Sequence, residues 1–174
     1  MKQIGIMSDT HSFLNPALKD FFKDCDEIWH AGDWGDIKVL KALENWKPLR
    51  GVYGNIDAQE IRQVFPEVNY FTIEDLQVCM IHIGGYPQHY APHFKKIMYQ
   101  KPIDLMVCGH SHILRVMRDI QFGWMHINPG ACGNHGFQKV NTAVRLKIEG
   151  NRLFDLEVWE IGRTSCRERV FITV

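Results

Sequence analysis

Residues 4–22 read IGIMSDTHSFLNPALKDFF, a short apolar run followed by a polar turn and an amphipathic segment. Residues 4–8 predict a buried strand, because the run is apolar and too short for a helix. Asn15-Pro16 is typical of a helix start. Around it, apolar side chains recur at helical spacing, at Leu14, Ala17, Leu18, Phe21 and Phe22. The stretch therefore predicts a strand that passes through a loop into a helix.

The alternation of strand and helix continues to about residue 54. Residues 27–32 repeat the strand signal, and residues 49–53 give a third strand. Between them, a second helix is marked by Ile37, Leu40 and Leu43. This βαβαβ order predicts parallel strands at the amino-terminal end.

The second half of the chain has fewer helices and more turns. Residues 70–73 and 77–83 predict two strands that join at a turn around Asp75. A helix and another buried strand follow, marked by Phe94, Ile97, Met98 and residues 104–108. The later turn signals are Asp119, Gly123, residues 128–130 and residues 149–150, before a last strand at residues 154–161.

A parallel half followed by an antiparallel half predicts an α/β fold with two packed mixed β-sheets flanked by helices, an α/β/β/α sandwich. At 174 residues the chain has the size of one domain, which we place at residues 1–162. Residues 163–174, RTSCRERVFITV, follow the last predicted strand. The sequence leaves open whether they form a disordered tail or an added edge strand.

The composition is that of an ordinary globular protein, with 45% hydrophobic and 23% charged residues. Twenty basic residues balance twenty acidic ones, so no net charge attracts nucleic acid or an anionic membrane. No apolar run approaches the ~20 residues of a membrane span. Five cysteines without a CxxC pair are typical of reduced core thiols and predict a cytoplasmic protein. We expect a small substrate, no membrane and no nucleic-acid partner, and the sequence leaves a homo-oligomer open.

Potential metal ligands follow five predicted strands, where open α/β sheets usually place their sites. They are Asp9, His11, Asp33, Asn55, His82, His110 and His112. Two pairs have a spacing of two, so extended backbone would point both side chains of a pair the same way. Four imidazoles, two carboxylates and one amide oxygen suit divalent Mn, Fe, Co, Ni or Zn better than Mg or Ca. If Asp33 bridges, the set holds two ions, and their positive charge suits an anionic phosphate ester.

The order and spacing of these motifs resemble those of the calcineurin-like metallophosphoesterases, in particular their small single-domain prokaryotic phosphodiesterases. The motifs are Asp9-x-His11, Gly32-Asp33, Gly54-Asn55-x-Asp57, His82 and Gly109-His110-x-His112. The resemblance implies a dinuclear-metal-dependent phosphoesterase that uses in-line attack by a metal-bridging hydroxide. It also implies two divalent transition-metal ions, with Mn expected first.

The resemblance assigns a role to each ligand. The first ion would be held by Asp9, His11, Asp33 and His112, and the second by Asp33, Asn55, His82 and His110. Asp33 would bridge the ions, and Asp57 would orient the loop that carries Asn55. We expect catalysis to depend on Asp33, Asn55 and Asp57.

Two departures from the family pattern bear on the substrate. Many members have a histidine directly after the Asn55 equivalent, where it helps to protonate the leaving group, but this chain has Ile56. Isoleucine cannot donate a proton, which favours phosphodiesters over phosphomonoesters. After His82 the chain reads Ile83-Gly84 where the family usually reads Gly-His. The predicted substrate contacts are Trp34, Tyr86, His89, Asn128 and Gly130, with His93 as a further candidate.

Several residues have simpler interpretations. A lone histidine is more often structural than a ligand, and His30, His126 and His135 are predicted to be structural. Trp34 either lines the pocket or covers a sheet edge. A catalytically weak or inactive scaffold of the same fold that binds proteins is the main alternative function. A nuclease is disfavoured by the zero net charge.

Overall fold

The computed structural model describes residues 1–162 and 167–172. Four short helices are described, α1 (Ala17–Phe21), α2 (Ile37–Glu44), α3 (Gln59–Arg62) and α4 (Pro92–Ile97). The strands are β1 (Lys2–Met7), β2 (Glu27–His30), β3 (Leu49–Gly51), β4 (Val68–Ile73), β5 (Leu76–Ile81), β6 (Gly85–Tyr86), β7 (His89–Tyr90), β8 (Leu105–Val107), β9 (Leu114–Arg118), β10 (Met125–Pro129), β11 (Val140–Glu149), β12 (Arg152–Gly162) and β13 (Arg167–Ile172).

The strands form two mixed sheets and a small hairpin. The first sheet has the order β13-β12-β11-β1-β2-β3, and the second has the order β4-β5-β8-β10-β9. In the first sheet, β1, β2 and β3 are parallel, as the βαβαβ order predicts. β11 joins the open side of β1 in antiparallel pairing.

The second half of the chain is not the purely antiparallel unit that we expected. β8 pairs in parallel with both β5 and β10. The segment between β5 and β8 contains the β6–β7 hairpin and α4. This whole segment is long enough for the crossover that parallel pairing requires. Neither α3 nor the hairpin is predicted by the sequence patterns.

Three apolar layers hold the sandwich together. The central layer joins the two sheets, with Ile6 and Trp29 from one sheet and Met80 and Val107 from the other. The outer face of the first sheet packs against α1, α2 and α3. The outer face of the second sheet packs against α4, largely through the fully buried ring of Phe94. The predicted α/β/β/α fold class is confirmed.

The carboxyl-terminal segment lies partly within the described residues. Arg167–Ile172 pairs antiparallel with β12 at the edge of the first sheet, so residues 154–161 are not the last strand. Residues 163–166 and 173–174 of the predicted tail lie outside the described residues. The boundary after residue 162 stays a prediction. Among the described residues, no helix has the length and apolarity needed to cross a bilayer.

Candidate metal centre

The predicted ligands lie at one edge of the sandwich. Asp9 follows β1, Asp33 follows β2, and Asn55 follows β3. His82 follows β5 in the second sheet, and the loop with His110 and His112 follows β8. Since parallel strands end at the same edge of a sheet, packing of the two sheets brings these loops together.

Six of the seven predicted ligands form two adjacent groups. Asp9, His11 and His112 form the first group, and Asp33, His82 and His110 form the second. Within each group the ligand atoms lie within 4.8 Å of one another. The His112 Nε2 atom is 3.2 Å from Asp9 Oδ1. Apart from Asp9 and His11, the members of each group are far apart in the sequence, so folding brings them together.

The carboxylate of Asp33 faces both groups. Its Oδ1 atom lies 3.2 Å from His82 Nε2 of the second group. Its Oδ2 atom lies 3.6 Å from His11 Nε2 of the first group. One carboxylate oxygen therefore points to each group, as a bridging ligand requires.

The hydrogen bonding of His82 fits a cation. Its Nδ1 atom lies 2.7 Å from the carbonyl oxygen of Ala31, which can only accept a hydrogen bond. Neutral His82 therefore carries its hydrogen on Nδ1, and the Nε2 lone pair faces the carboxylate of Asp33. His82 Nε2 and Asp9 Oδ1 are both buried without a hydrogen-bond partner. Unpaired buried acceptors are costly, and divalent ions held by the two ligand groups would satisfy both atoms, so the donor set fits transition metals.

The carboxylates also shift the protonation of the imidazoles. Burial lowers the pKa of His82, but the nearby carboxylates of Asp33 and Asp9 outweigh burial and raise it overall. The Asp9 carboxylate, 3.2 Å from His112 Nε2, is the largest cause of the raised pKa of His112. Burial raises the pKa of Asp33, but its contacts with His82 lower it overall. The two carboxylates thus favour positive charge at the candidate metal centre, whether it comes from protons on the imidazoles or from metal ions.

The backbone at the ligands corrects the sequence analysis. We expected extended geometry between the paired ligands, but Asp9 and His11 have φ of 54° and 44°. His110 and His112 have φ of 68° and 58°, also in the left-handed region. The strands end before the ligands, so each pair converges through a tight left-handed turn.

Buried polar side chains hold the ligand loops in place. Asp57 accepts hydrogen bonds from the backbone N–H groups of Gly54 and Gly35, at 2.7 and 2.9 Å. It therefore braces the loop that carries Asn55. Asn128 donates to the carbonyl oxygen of Gly109 at 2.8 Å and to Ser111 Oγ at 3.0 Å.

Gly130 and Asn128 lie behind the ligand loops. Gly130 has a φ of 75°, and its backbone N–H donates to Asn128 Oδ1 at 3.0 Å. Both residues are buried. They stabilise the loop after β8. Among the described residues, neither belongs to the lining of the two cavities beside the metal centre, which are described below.

The other predicted substrate contacts lie away from these cavities. Trp34 is fully buried and stacks between His30 and Phe65, with ring centroids 3.7 and 4.7 Å away. Trp34 is therefore a core residue. Tyr86 and His89 pack against each other in the β6–β7 hairpin, outside the lining of either cavity.

Three histidines were predicted to be structural, and two of them are. His30 is buried and lies 3.0 Å from Thr10 Oγ1. His126 is buried beside Met106. His135, in contrast, is exposed at the metal centre, with its ring centroid 4.7 Å from that of His11.

Gln138 is a further residue that the sequence analysis missed. Its side-chain Nε2 donates to the carbonyl oxygens of Gly133 and His135, at 3.1 and 2.6 Å. Its Oε1 lies 3.0 Å from His112 Nδ1. The residues around it, GNHGFQK, lack the ligand spacing that identified the other loops.

Two cavities meet at Asn55. The first, which we call the metal cavity, has a volume of about 590 Å³ and is lined by ligands of both groups together with Ile56, Ile113, His135, Phe137 and Gln138. The second, the side cavity, has a volume of about 520 Å³. It is lined by Asn55 and His82 together with Tyr53, Arg62, Glu67, Ile83, Pro92 and His93. Asn55 thus lines both spaces, and each space includes assigned metal ligands in its lining.

Comparisons with known proteins identify the family of the chain. Residues 1–151 match the calcineurin-like phosphoesterase superfamily domain. A probable metallophosphoesterase of Methanothermobacter thermautotrophicus is 30% identical over 175 residues, which cover 97% of this chain and 98% of that protein. A phosphodiesterase of Methanocaldococcus jannaschii is 29% identical over 146 residues, 75% of this chain and 84% of that protein.

A solved structure shares the fold at low sequence identity. Vps29 from Chaetomium thermophilum superposes with a TM-score of 0.77 over 99% of both chains, at 16% identity. This likeness concerns the fold alone. The match over residues 1–151 and the full-length archaeal relative confirm the resemblance seen in the motifs, and the chain belongs to the calcineurin-like phosphoesterase superfamily.

Proposed function

We propose that this protein is a phosphodiesterase that depends on two divalent metal ions. The observation that carries the proposal is the Asp33 carboxylate, whose two oxygens face two separate groups of ligands. A single-ion site would not need a carboxylate in this position.

The first ion would be held by Asp9, His11, Asp33 and His112, and the second by Asp33, Asn55, His82 and His110. When bound, two such ions would supply an activated water as nucleophile and neutralise the charge on the phosphoryl oxygens, in support of the predicted in-line attack. Burial lowers the pKa of His11 and of His110, so both are neutral and able to ligate at pH 7.

The two cavities support a diester over a monoester. A phosphodiester carries two organic groups, and the metal cavity and the side cavity, which share Asn55 in their linings, offer a space for each. The half-exposed Ile56 lines the metal cavity and has no proton to give to a poor leaving group. Hydrolysis therefore favours esters whose leaving group departs without a strong general acid.

The metal and the location stay proposals. A mixed set of nitrogen and oxygen ligands suits Mn, Fe, Co, Ni and Zn, and we propose Mn as the first metal to test. The described cysteines Cys25, Cys79, Cys108 and Cys132 are all free and buried, which supports a reducing compartment such as the cytoplasm.

A protein-binding scaffold is the second candidate function. The fold that this chain shares with Vps29 over its whole length does not by itself require turnover, so the scaffold is the alternative to test. A scaffold would bind partners without turnover of any phosphate ester.

One experiment distinguishes the two functions. The Mn-loaded protein is assayed against a panel of phosphomonoesters and phosphodiesters, and its bound metal is counted. We expect two ions per chain and turnover of the diesters. Asn55→Ala should lower turnover by more than the roughly 10–100-fold that loss of a supporting residue causes.

Asn151→Ala is the matched control, because Asn151 is exposed in the turn between β11 and β12. Tight metal binding without turnover of any ester would favour the scaffold. Full activity of Asn55→Ala would remove Asn55 from the metal centre.

A further inference from the structure

Exposed apolar side chains surround the candidate metal centre. Ile83 is 41% exposed and lines the side cavity. Ile56, Ile113 and Phe137 are at least as exposed and line the metal cavity. Exposed apolar side chains that cluster around a site mark a ligand surface. Inorganic phosphate or a small polar ester would gain nothing from them.

The side cavity has a wall suited to a flat ring. The guanidinium carbon of Arg62 lies 4.4 Å from the centre of the Tyr53 ring. Arg62 is held in this position, because its Nε donates to the Asp57 carbonyl oxygen at 2.6 Å. Stacked guanidinium and phenol groups present planar, polarisable surfaces, and these favour aromatic ligands.

The rest of the lining has an apolar part and a polar part. Ile83 and Pro92 contribute apolar surface. On the same lining, His93 Nε2 lies 3.7 Å from a carboxylate oxygen of Glu67, and both side chains are about half exposed. A volume of about 520 Å³ is within the range of small-molecule pockets.

The side cavity is continuous with the second ligand group. Asn55 and His82 belong to its lining and are also assigned to the second ion. An organic group on a phosphorus atom bound at the metal centre would therefore lie next to the side cavity.

We infer that the side cavity binds an aromatic group of the substrate, so that the preferred substrates are phosphodiesters with at least one aryl or nucleobase-bearing substituent. This inference rests on the proposed function. It adds the chemical class of one ester group and the residues that select it, chiefly Ile83 and Tyr53.

The test compares two stable ligands. Phenylphosphonate and methylphosphonate carry the same anionic group, and their phosphorus–carbon bonds are not hydrolysed. Binding to the Mn-loaded protein is measured by calorimetry and by inhibition of diester turnover. We expect phenylphosphonate to bind about tenfold more tightly, because its ring leaves water for the side cavity.

Two variants locate the ring. Ile83→Ser and Tyr53→Ala should each reduce the preference for phenylphosphonate to less than threefold. Methylphosphonate binding should change little in both, which shows that the metal centre is intact. Ile120→Ser is the matched control and should keep the full preference, since Ile120 is 96% exposed and lines neither cavity.

Equal affinity of the two phosphonates in the unmodified protein would overturn the inference, and so would an unchanged preference in both cavity variants. These outcomes differ from failure of the proposed function. If the Mn-loaded protein hydrolyses no diester, the calorimetric preference still tests the side cavity by itself.

Discussion

The replacement Gln138→Met tests how the protein fixes the tautomer of a metal ligand. The amide nitrogen of Gln138 donates to the carbonyl oxygens of Gly133 and His135, so the orientation of the amide is set. Its oxygen must then accept from Nδ1 of His112 at 3.0 Å. Neutral His112 therefore carries its hydrogen on Nδ1 and keeps the lone pair of Nε2 for a metal ion.

The magnitude follows from this single contact. Methionine has a similar length and shape but cannot accept the hydrogen bond with comparable strength. A neutral hydrogen bond contributes about 1 kcal/mol net, and loss of a partner that orients a histidine ligand typically costs about 10–100-fold in metal affinity. We therefore expect the affinity of the first ion to fall by about that factor, which equals roughly 1.4–2.8 kcal/mol.

The assay is a calorimetric titration of the metal-free protein with Mn. The first ion should bind more weakly in Gln138→Met, while the second ion, which His112 does not contact, should keep its affinity. Gln100→Met is the control, since Gln100 is exposed and lines neither cavity. Affinities of both ions within about twofold of the unmodified protein, in a variant of unchanged stability, would refute the role of Gln138.

Two further predictions concern stability and the bridging carboxylate. Burial lowers the pKa of His126 to about 4, so His126 is neutral in the folded protein but protonated in the unfolded chain between pH 4 and about 6.5. The contribution of His126 to the free energy of unfolding is therefore complete above about pH 6.5 and falls by about 3 kcal/mol as the pH drops to 4. Urea unfolding at several pH values should show a weaker dependence of this free energy on pH in His126→Phe. An unchanged pH dependence would count against the lowered pKa of His126. In Gly54→Ala, the added Cβ would overlap the carboxylate and backbone nitrogen of Asp33. Elemental analysis should then find fewer than two ions per chain, and two tightly bound ions with full turnover would contradict the bridging role of Asp33.

Most of the ligand set could be predicted from the sequence because each ligand follows a strand. Strand ends are local features, visible as an apolar run that stops at a glycine or a polar residue. Asp33 after Gly32 and His110 after Gly109 both fit this rule, and the structure brings both to the same edge. The fold class followed from the same runs.

The supporting residues could not be predicted, because their roles depend on contacts between distant loops. Gln138 contacts His112, which lies 26 residues away in the sequence. No motif in the sequence around Gln138 indicates this contact. Trp34 directly follows a ligand, but its ring turns into the core, where Phe65 and His30 enclose it. The parallel pairing of β8 likewise depends on the course of the crossover between β5 and β8, which the sequences of the strands do not determine.

The backbone of the ligand loops argues for a bound cation over an inert scaffold. Left-handed φ angles are uncommon for residues other than glycine, and each costs on the order of 1 kcal/mol or more. Five of the assigned ligands adopt them, namely Asp9, His11, Asp33, His110 and His112. Glycine would remove this cost but would also remove the ligand side chain. Coordination of the two proposed metal ions by these five side chains would compensate for that cost, and an inert scaffold would lack this compensation.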